Sequence, residues 1–143
     1  NEIHVYQEIH IGNAVNLEDG LIVPVLRNVD QKPVGQIAQE SKALAEKART
    51  GKLRVEEITG GTFTVTNLGG AGIDFFTPII NPPQAAILGV GRVAKRPWVV
   101  ADRIEIRSTM YLCLVFDHRV VDGLPAARFL GELQRILAEP EKL

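Results

Sequence analysis

Met110-Tyr111-Leu112-Cys113-Leu114-Val115-Phe116-Asp117-His118-Arg119-Val120-Val121-Asp122-Gly123 changes character halfway along. Met110 to Phe116 is an apolar run of strand length. Beyond it Ala126, Phe129, Leu130, Leu133 and Leu137 recur at helical spacing. The stretch therefore predicts a buried strand, a short turn and an amphipathic terminal helix. Asp122 stands where an N-cap would, Pro125 suits the first turn, and Pro140 ends the element. His118 sits at the strand exit with Asp122-Gly123 four residues on. Strand ends present reactive side chains well, because the strand holds the backbone while the side chain reaches into a cleft.

Working outward, Ile3, Val5, Ile9 and Ile11 alternate with His4, Tyr6, Glu8 and His10, which predicts a half-buried strand. A chain that opens almost inside a strand is expected to be part of a longer domain. His4 and His10 lie on the polar face, too far apart to share a metal ion directly, and are expected to face solvent. Glu18-Asp19-Gly20 is a turn. Leu21–Leu26 is a second short strand, in which Pro24 points to an edge or irregular pairing. Val34, Ile37, Ala38, Ser41, Leu44, Ala45 and Ala48 mark one face of a helix, with Asp30 as its cap and Gly51 as its end.

Thr62–Leu68 is a strand by its β-branched content, with Thr62, Thr64 and Thr66 on its polar face. Gly69-Gly70-Ala71-Gly72 lacks the Lys-Ser/Thr and helix start of a phosphate cradle. A tight loop where backbone approaches backbone is the expectation. Asn81-Pro82-Pro83 reads as a stiff extended connector and Gln84–Val93 as another strand. Gly89-Val90-Gly91 there is not a dinucleotide fingerprint. Trp98 to Ile106 reads as a hairpin leading into the strand that ends at Phe116. Strands and helices are segregated rather than alternating, so the fold class is α+β, a layered sandwich. The chain of 143 residues makes one domain.

Composition narrows the function. Lys plus Arg number 16 against 17 Asp plus Glu, which disfavours a nucleic-acid binder. No apolar run reaches membrane-spanning length and no signal peptide opens the chain. The single cysteine, Cys113, is expected to be a small buried hydrophobe, consistent with a reducing compartment.

An imidazole can take and return protons at neutral pH, so hydroxyls and thiols are the natural targets of His118. A free thiol, with a pKa of about 8.5, needs that help to attack at pH 7. Asp122 either orients the imidazole, holds the turn through an ion pair, or caps the helix; Asp117 competes for the first role. Acyl transfer also builds an oxyanion, for which Thr66, beside the glycine loop, offers a hydroxyl; an ordinary strand threonine is the alternative. No Gly-x-Ser-x-Gly and no zinc signature occurs, so a serine hydrolase or metalloenzyme lacks its parts.

His118-Arg119-Val120-Val121-Asp122-Gly123 resembles the HxxxDG signature shared by the dihydrolipoamide acyltransferases, the E2 components of 2-oxo acid dehydrogenase complexes, and chloramphenicol acetyltransferase. The stretches Gly60–Gly69 and Pro78–Gly91 are also similar to E2 catalytic domains, so the resemblance covers essentially the whole chain. It implies a chloramphenicol-acetyltransferase-like sandwich: a mixed sheet with helices on one face. It implies that residues 1–143 form a single partial catalytic domain whose front segment, with residues that help bind CoA, precedes this sequence.

By the same resemblance, His118 is the general base acting on the thiol of CoA or dihydrolipoamide. Asp122 maintains the site through an ion pair, and Thr66 holds the oxyanion. Phe76 lines the substrate channel, plain core packing being its other reading. The implied partners are coenzyme A as substrate and a lipoyl group on a separate domain, with no metal, no nucleic acid and no membrane. The catalytic unit implied is a homotrimer, His118 of one chain facing Thr66 of the next, assembled into a larger core. Dehydrogenase and dihydrolipoamide dehydrogenase components would bind through other domains, in bacterial cytoplasm or mitochondrial matrix. An acetyl group is the favoured cargo from Gly72–Pro78, with succinyl, branched-chain and acetoin-derived groups as rivals. A non-catalytic core module and a free-standing acetyltransferase acting on a small hydroxyl compound are the competing functions.

Overall fold

The computed structural model describes residues 2–139, so Pro140 lies outside the described residues. Nine strands and two long helices are present among them. Five strands form the main sheet, in the order β4-β1-β5-β6-β9. These are β1 Ile11–Asn13, β4 Val25–Leu26, β5 Phe63–Asn67, β6 Ala86–Val90 and β9 Leu112–Phe116. β1, β5 and β6 run parallel; β4 and β9, at the two edges, run against them. A small hairpin, β2 Val15–Leu17 with β3 Gly20–Ile22, turns at Glu18-Asp19. A longer one pairs β7 Ala94–Val100 with β8 Arg103–Thr109 through a two-residue turn. Ala101 and Asp102 there both take left-handed φ, 46° and 62°, which matches the right-handed twist of a tight hairpin.

The two faces of the sheet differ in what covers them. Register pairs share a face. Ile11, Phe63, Val65 and Leu88 therefore line one side. Helix α2, Gly123–Ala138, packs there through Phe129, 6.0 Å from the Phe63 ring, and Ala126 is only 4% exposed. Helix α1, Val34–Arg49, meets the same side, where Asn13 Nδ2 donates to Ser41 Oγ at 3.0 Å. Both helices thus share one face, as a layered α+β sandwich requires. The opposite face carries Gly12, Thr64, Thr66, Ile87, Gly89 and Cys113 and is covered by loops. Ile87 and Leu88, one on each side, are 5% and 7% exposed and anchor the core.

Several expectations need correction. Residues 2–10 form no strand, and Ile3, Val5 and Tyr6 are 64%, 88% and 63% exposed. Their alternation is a half-buried pattern that no strand of the described chain pairs with or covers. His10 is not free in solvent: its Nδ1 accepts the Asn28 N–H at 3.1 Å. Asp30 lies in a 3-10 turn, and Pro33 takes the N-cap of α1, because its fixed φ sets up the first turn without needing a donor. Gly51, just past the C-cap at φ 65°, does end that helix.

Leu21–Leu26 divides at Pro24, leaving β4 on the sheet edge where a missing N–H is tolerated. Asn81–Gln84 is a turn closed by Gln84 N–H to Asn81 O at 3.1 Å, not an extended connector. The threonine face of β5 is not a wet one. Thr64 is 1% exposed and donates its hydroxyl to Gln84 Oε1 at 2.6 Å, removing the cost of burying it alone.

Candidate active site

β9 delivers His118 to the protein surface. Asp117 N–H bonds Ala85 O at 2.8 Å, which keeps the strand in register one residue past its end. The chain then turns, with Val120 and Val121 N–H groups bonding back to Asp117 O, and enters α2 at Gly123 with Asp122 as N-cap residue. Asp122 makes no side-chain capping bond. Its Oδ1 instead faces His118 Nδ1 at 3.6 Å, an ion-pair distance longer than a hydrogen bond. Both side chains are well exposed, and the imidazole also rests against Phe116, ring centres 5.7 Å apart.

The rivalry between the two aspartates is resolved by Arg119. Asp117 accepts from Arg119 N, Nε and Nη2 at 2.6–3.2 Å. That guanidinium holds the Asp117 carboxyl down to about 2. Asp117 is thereby committed to Arg119, and Asp122 is the carboxylate that faces the imidazole. With Nδ1 turned to Asp122, Nε2 is the nitrogen left for a substrate. A cavity of about 260 Å³ lies beside this turn, lined by Val120, Gln84, Thr62 and the extended segment with Ile3, His4 and Tyr6. The periodicity of residues 3–9 signalled apolar contact but not that its place was beside this turn.

Thr66 and Phe76 are elsewhere. Thr66 pairs with Gly89 and Gly89 with Cys113, so the three form one row across β5, β6 and β9. Phe116 lies two strands across and three residues along from Thr66, roughly 14 Å away at strand spacings of about 4.8 and 3.3 Å. His118 lies farther still, because β9 runs against β5. The candidate base and the candidate oxyanion donor therefore occupy opposite ends of one sheet. Phe76 is at the Thr66 end: its Cζ would sit 3.2 Å from a Cβ on Gly89.

The glycine loop does what its composition implied. A Cβ on Gly69 would lie 2.8 Å from Gly91 O, and one on Gly91 only 1.9 Å from Asp74 O. Asp74 in turn binds Arg92 Nε and Nη2 at 3.0 and 3.1 Å and Arg96 Nη2 at 2.7 Å. The charges at 74, 92 and 96 follow no local periodicity, so the sequence alone carries no signal of this clamp. Among the described residues no cluster of three or more His, Cys, Asp or Glu could hold a metal ion. None of their helices is long and apolar enough to cross a membrane.

Curated relatives share this sequence at 43–46% identity. The acetyltransferase component of the pyruvate dehydrogenase complex of Acholeplasma laidlawii is 43% identical over 143 residues, covering 100% of this chain and 26% of that protein. The succinyltransferase component of the 2-oxoglutarate dehydrogenase complex of Haemophilus influenzae is 46% identical over 140 residues, 98% of this chain and 34% of that protein. Two solved structures superpose with a TM-score of 0.92 at 44% identity, over 96% of this chain and 56% of theirs. One is Azotobacter vinelandii dihydrolipoamide acetyltransferase, where a serine, a histidine and an asparagine were investigated in the catalytic mechanism. The other is the cubic core of the pyruvate dehydrogenase multienzyme complex. The chain spans about a third or less of the length of these curated relatives and a little over half of the solved chains. The model of the 2-oxoacid dehydrogenases acyltransferase (catalytic domain) matches residues 1–143 throughout, and the chain belongs to that family.

Proposed function

We propose that this chain forms part of an acyltransferase that moves an acyl group between the dihydrolipoyl thiol of a lipoyl domain and coenzyme A. The observation that carries this reading is His118 at the exposed exit of β9, its Nδ1 turned to Asp122 while Asp117 is occupied by Arg119. A proton on Nδ1, favoured by the facing carboxylate, leaves Nε2 as the base. Nε2 takes the proton of the attacking thiol. The sulfur then adds to the thioester carbonyl, and the oxyanion formed is held by the Thr66 hydroxyl. Collapse expels the second thiolate, which recovers the proton from His118.

In the Azotobacter enzyme the investigated serine precedes the histidine by 52 residues and the asparagine follows it by 4. Thr66 and Asp122 stand at the same intervals about His118. Serine and threonine both offer a hydroxyl, and asparagine and aspartate both offer an acceptor oxygen to Nδ1–H.

The separation of His118 from Thr66 supports a site shared between copies, His118 of one chain facing Thr66 of the next. A homotrimer built into a larger core is the assembly we propose, with Phe76 lining the channel at the Thr66 end. Residues 1–143 form part of the catalytic domain on this reading. The lipoyl group and the dehydrogenase and dihydrolipoamide dehydrogenase components would be reached through other domains.

We take acetyl as the cargo, since Gly72–Pro78 resembles acetyl-transferring members, although relatives include succinyl carriers. Turnover of acetyl-, succinyl- and isobutyryl-CoA with free dihydrolipoamide, in the full-length protein, tests both parts. Acetyl transfer that vanishes in His118→Ala is expected. Undiminished transfer in that variant overturns the mechanism.

A further inference from the structure

Gln84 ends the turn that leads into β6, and its carboxamide is held at one end only. Thr64, 1% exposed, donates its hydroxyl to Gln84 Oε1 at 2.6 Å. That bond fixes which end of the amide points where. Nε2 is left against Gly61, where an added Cβ would lie 2.8 Å from it. The neighbouring Thr62 hydroxyl is already spent, accepting from His10 N and donating to His10 O. Among the described residues Nε2 has no hydrogen-bond partner, and it is not sealed from solvent. Gln84 and Gly61 both line the cavity of about 260 Å³ beside the His118 turn, so the free N–H groups open into it.

The cavity is placed for the reaction. Ala86 pairs with Phe116, and Asp117 N–H bonds Ala85 O, so the register runs one step past the ladder. Gln84 and His118 come next, and their backbones leave the ladder side by side, at a strand spacing of about 4.8 Å. The lining also sorts ligands by chemistry. Ile3, Pro83, Ala85 and Val120 are apolar walls that suit an alkyl chain, while the Glu2 carboxylate repels an anion such as a phosphate. A neutral donor among apolar walls selects a neutral acceptor on an alkyl chain, and the carbonyl of a secondary amide is such a group. Both thiols of the proposed reaction are carried on arms that contain one: the dihydrolipoyl chain at its lysine linkage, and coenzyme A in its pantetheine portion. In each arm the amide lies several bonds from the sulfur, so its donor belongs to one side of the base.

We propose that Gln84 is a substrate-binding residue whose Nε2 donates to the amide carbonyl of a thiol-bearing arm, with Thr64 as a positioning residue acting through Oε1. This rests on the acyltransferase reading above and adds to it the recognition of the arm. The base then meets a sulfur whose distance along the arm is already set.

The test uses the full-length protein with acetyl-CoA and two acceptors, dihydrolipoamide and the matching alkyl dithiol that lacks the carboxamide. Gln84→Glu keeps the acceptor for Thr64 and turns the donor into a second acceptor. It is expected to lower the kcat/KM preference for dihydrolipoamide over the dithiol about fivefold, the worth of one neutral hydrogen bond. The added charge acts on both acceptors alike and cancels in the ratio. Gln84→Met removes both polar ends at similar length and should lose the same preference, which keeps the test decisive if one variant fails to fold. A preference that holds while KM for acetyl-CoA rises about fivefold assigns the bond to the pantetheine amide. If neither quantity moves in either variant, with acetyl transfer intact in the parent, this inference alone is overturned. No acyl transfer in the parent overturns the acyltransferase reading, and this inference with it.

Discussion

The two ends of the main sheet are built on opposite plans. At one, His118 stands on a short exposed turn, faced by Asp122 at 3.6 Å and touched by one aromatic ring. At the other, Thr66 lies in a row with Gly89 and Cys113, and the segment Ile73–Pro78, tied to Arg92, Arg96 and Tyr111, packs against Gly89. The contrast teaches a division of labour. On the proposed reading, the group that would move protons is left open to solvent and to whatever docks against it. On the same reading, the hydroxyl that would meet the developing charge is carried on a central strand of the sheet, the kind of fixed placement that makes oxyanion stabilisation effective.

The sharpest way to break that comparison is to remove each end separately. His118→Ala should lower acyl transfer about 10²–10⁴-fold, the usual worth of a positioned proton carrier. Assembly, read by sedimentation, should be intact. Thr66→Val keeps the shape and deletes the donor, and a loss of about 10²–10³-fold in kcat is expected. Mixing the two inactive proteins through unfolding and refolding should restore part of the turnover. A site with its base from one chain and its hydroxyl from another is then whole. If mixtures stay dead, both groups serve within a single chain, and the opposite-end geometry has been misjudged.

Asp122 sharpens the same contrast from the loose side. Because the pair is exposed and screened, Asp122→Ala should cost about tenfold or less in kcat, and Asp122→Asn less again. A loss near that of His118→Ala would mean the turn is shielded in the assembly.

The smallest effect concerns acid. Asp117 is held down to about 2 by Arg119, and Glu57 to about 2 by hydrogen bonds from Lys47 and the Arg54 backbone. Both carboxylates are therefore more acidic folded than unfolded. Their contribution is complete above the ordinary carboxylate range near pH 4 and is lost as pH falls towards 2. Thermal midpoints recorded from pH 5 to pH 2 should drop in that window. Asp117→Asn and Glu57→Gln should each flatten the drop slightly.

Local pattern made much of this readable. The run into His118, the cap position of Asp122, the α2 stripe and the β7–β8 hairpin all rest on short-range periodicity and turn chemistry; the structure keeps the elements, but β9 with Cys113 is half-buried at the sheet edge rather than buried, and Phe129 and Leu137 of the stripe stay exposed. What escaped depends on partners distant in sequence. Residues 3–9 alternate as a strand does, but alternation records burial somewhere, not pairing within this chain. Thr64 looked polar and is the deepest threonine, because Gln84, twenty residues away, satisfies it. Asp30 looked like a cap until Pro33 displaced it. No spacing rule ties Asp74 to Arg96, and the distance between His118 and Thr66 follows only from the strand order.

Gly91 carries one last consequence. It has no functional group, yet any side chain there would lift Asp74 and everything strapped behind it. A position on which this packing depends is thus chemically blank. A survey that substitutes only reactive side chains would pass over it, while a single added methyl at that point should damage the reaction from a residue that never meets a substrate.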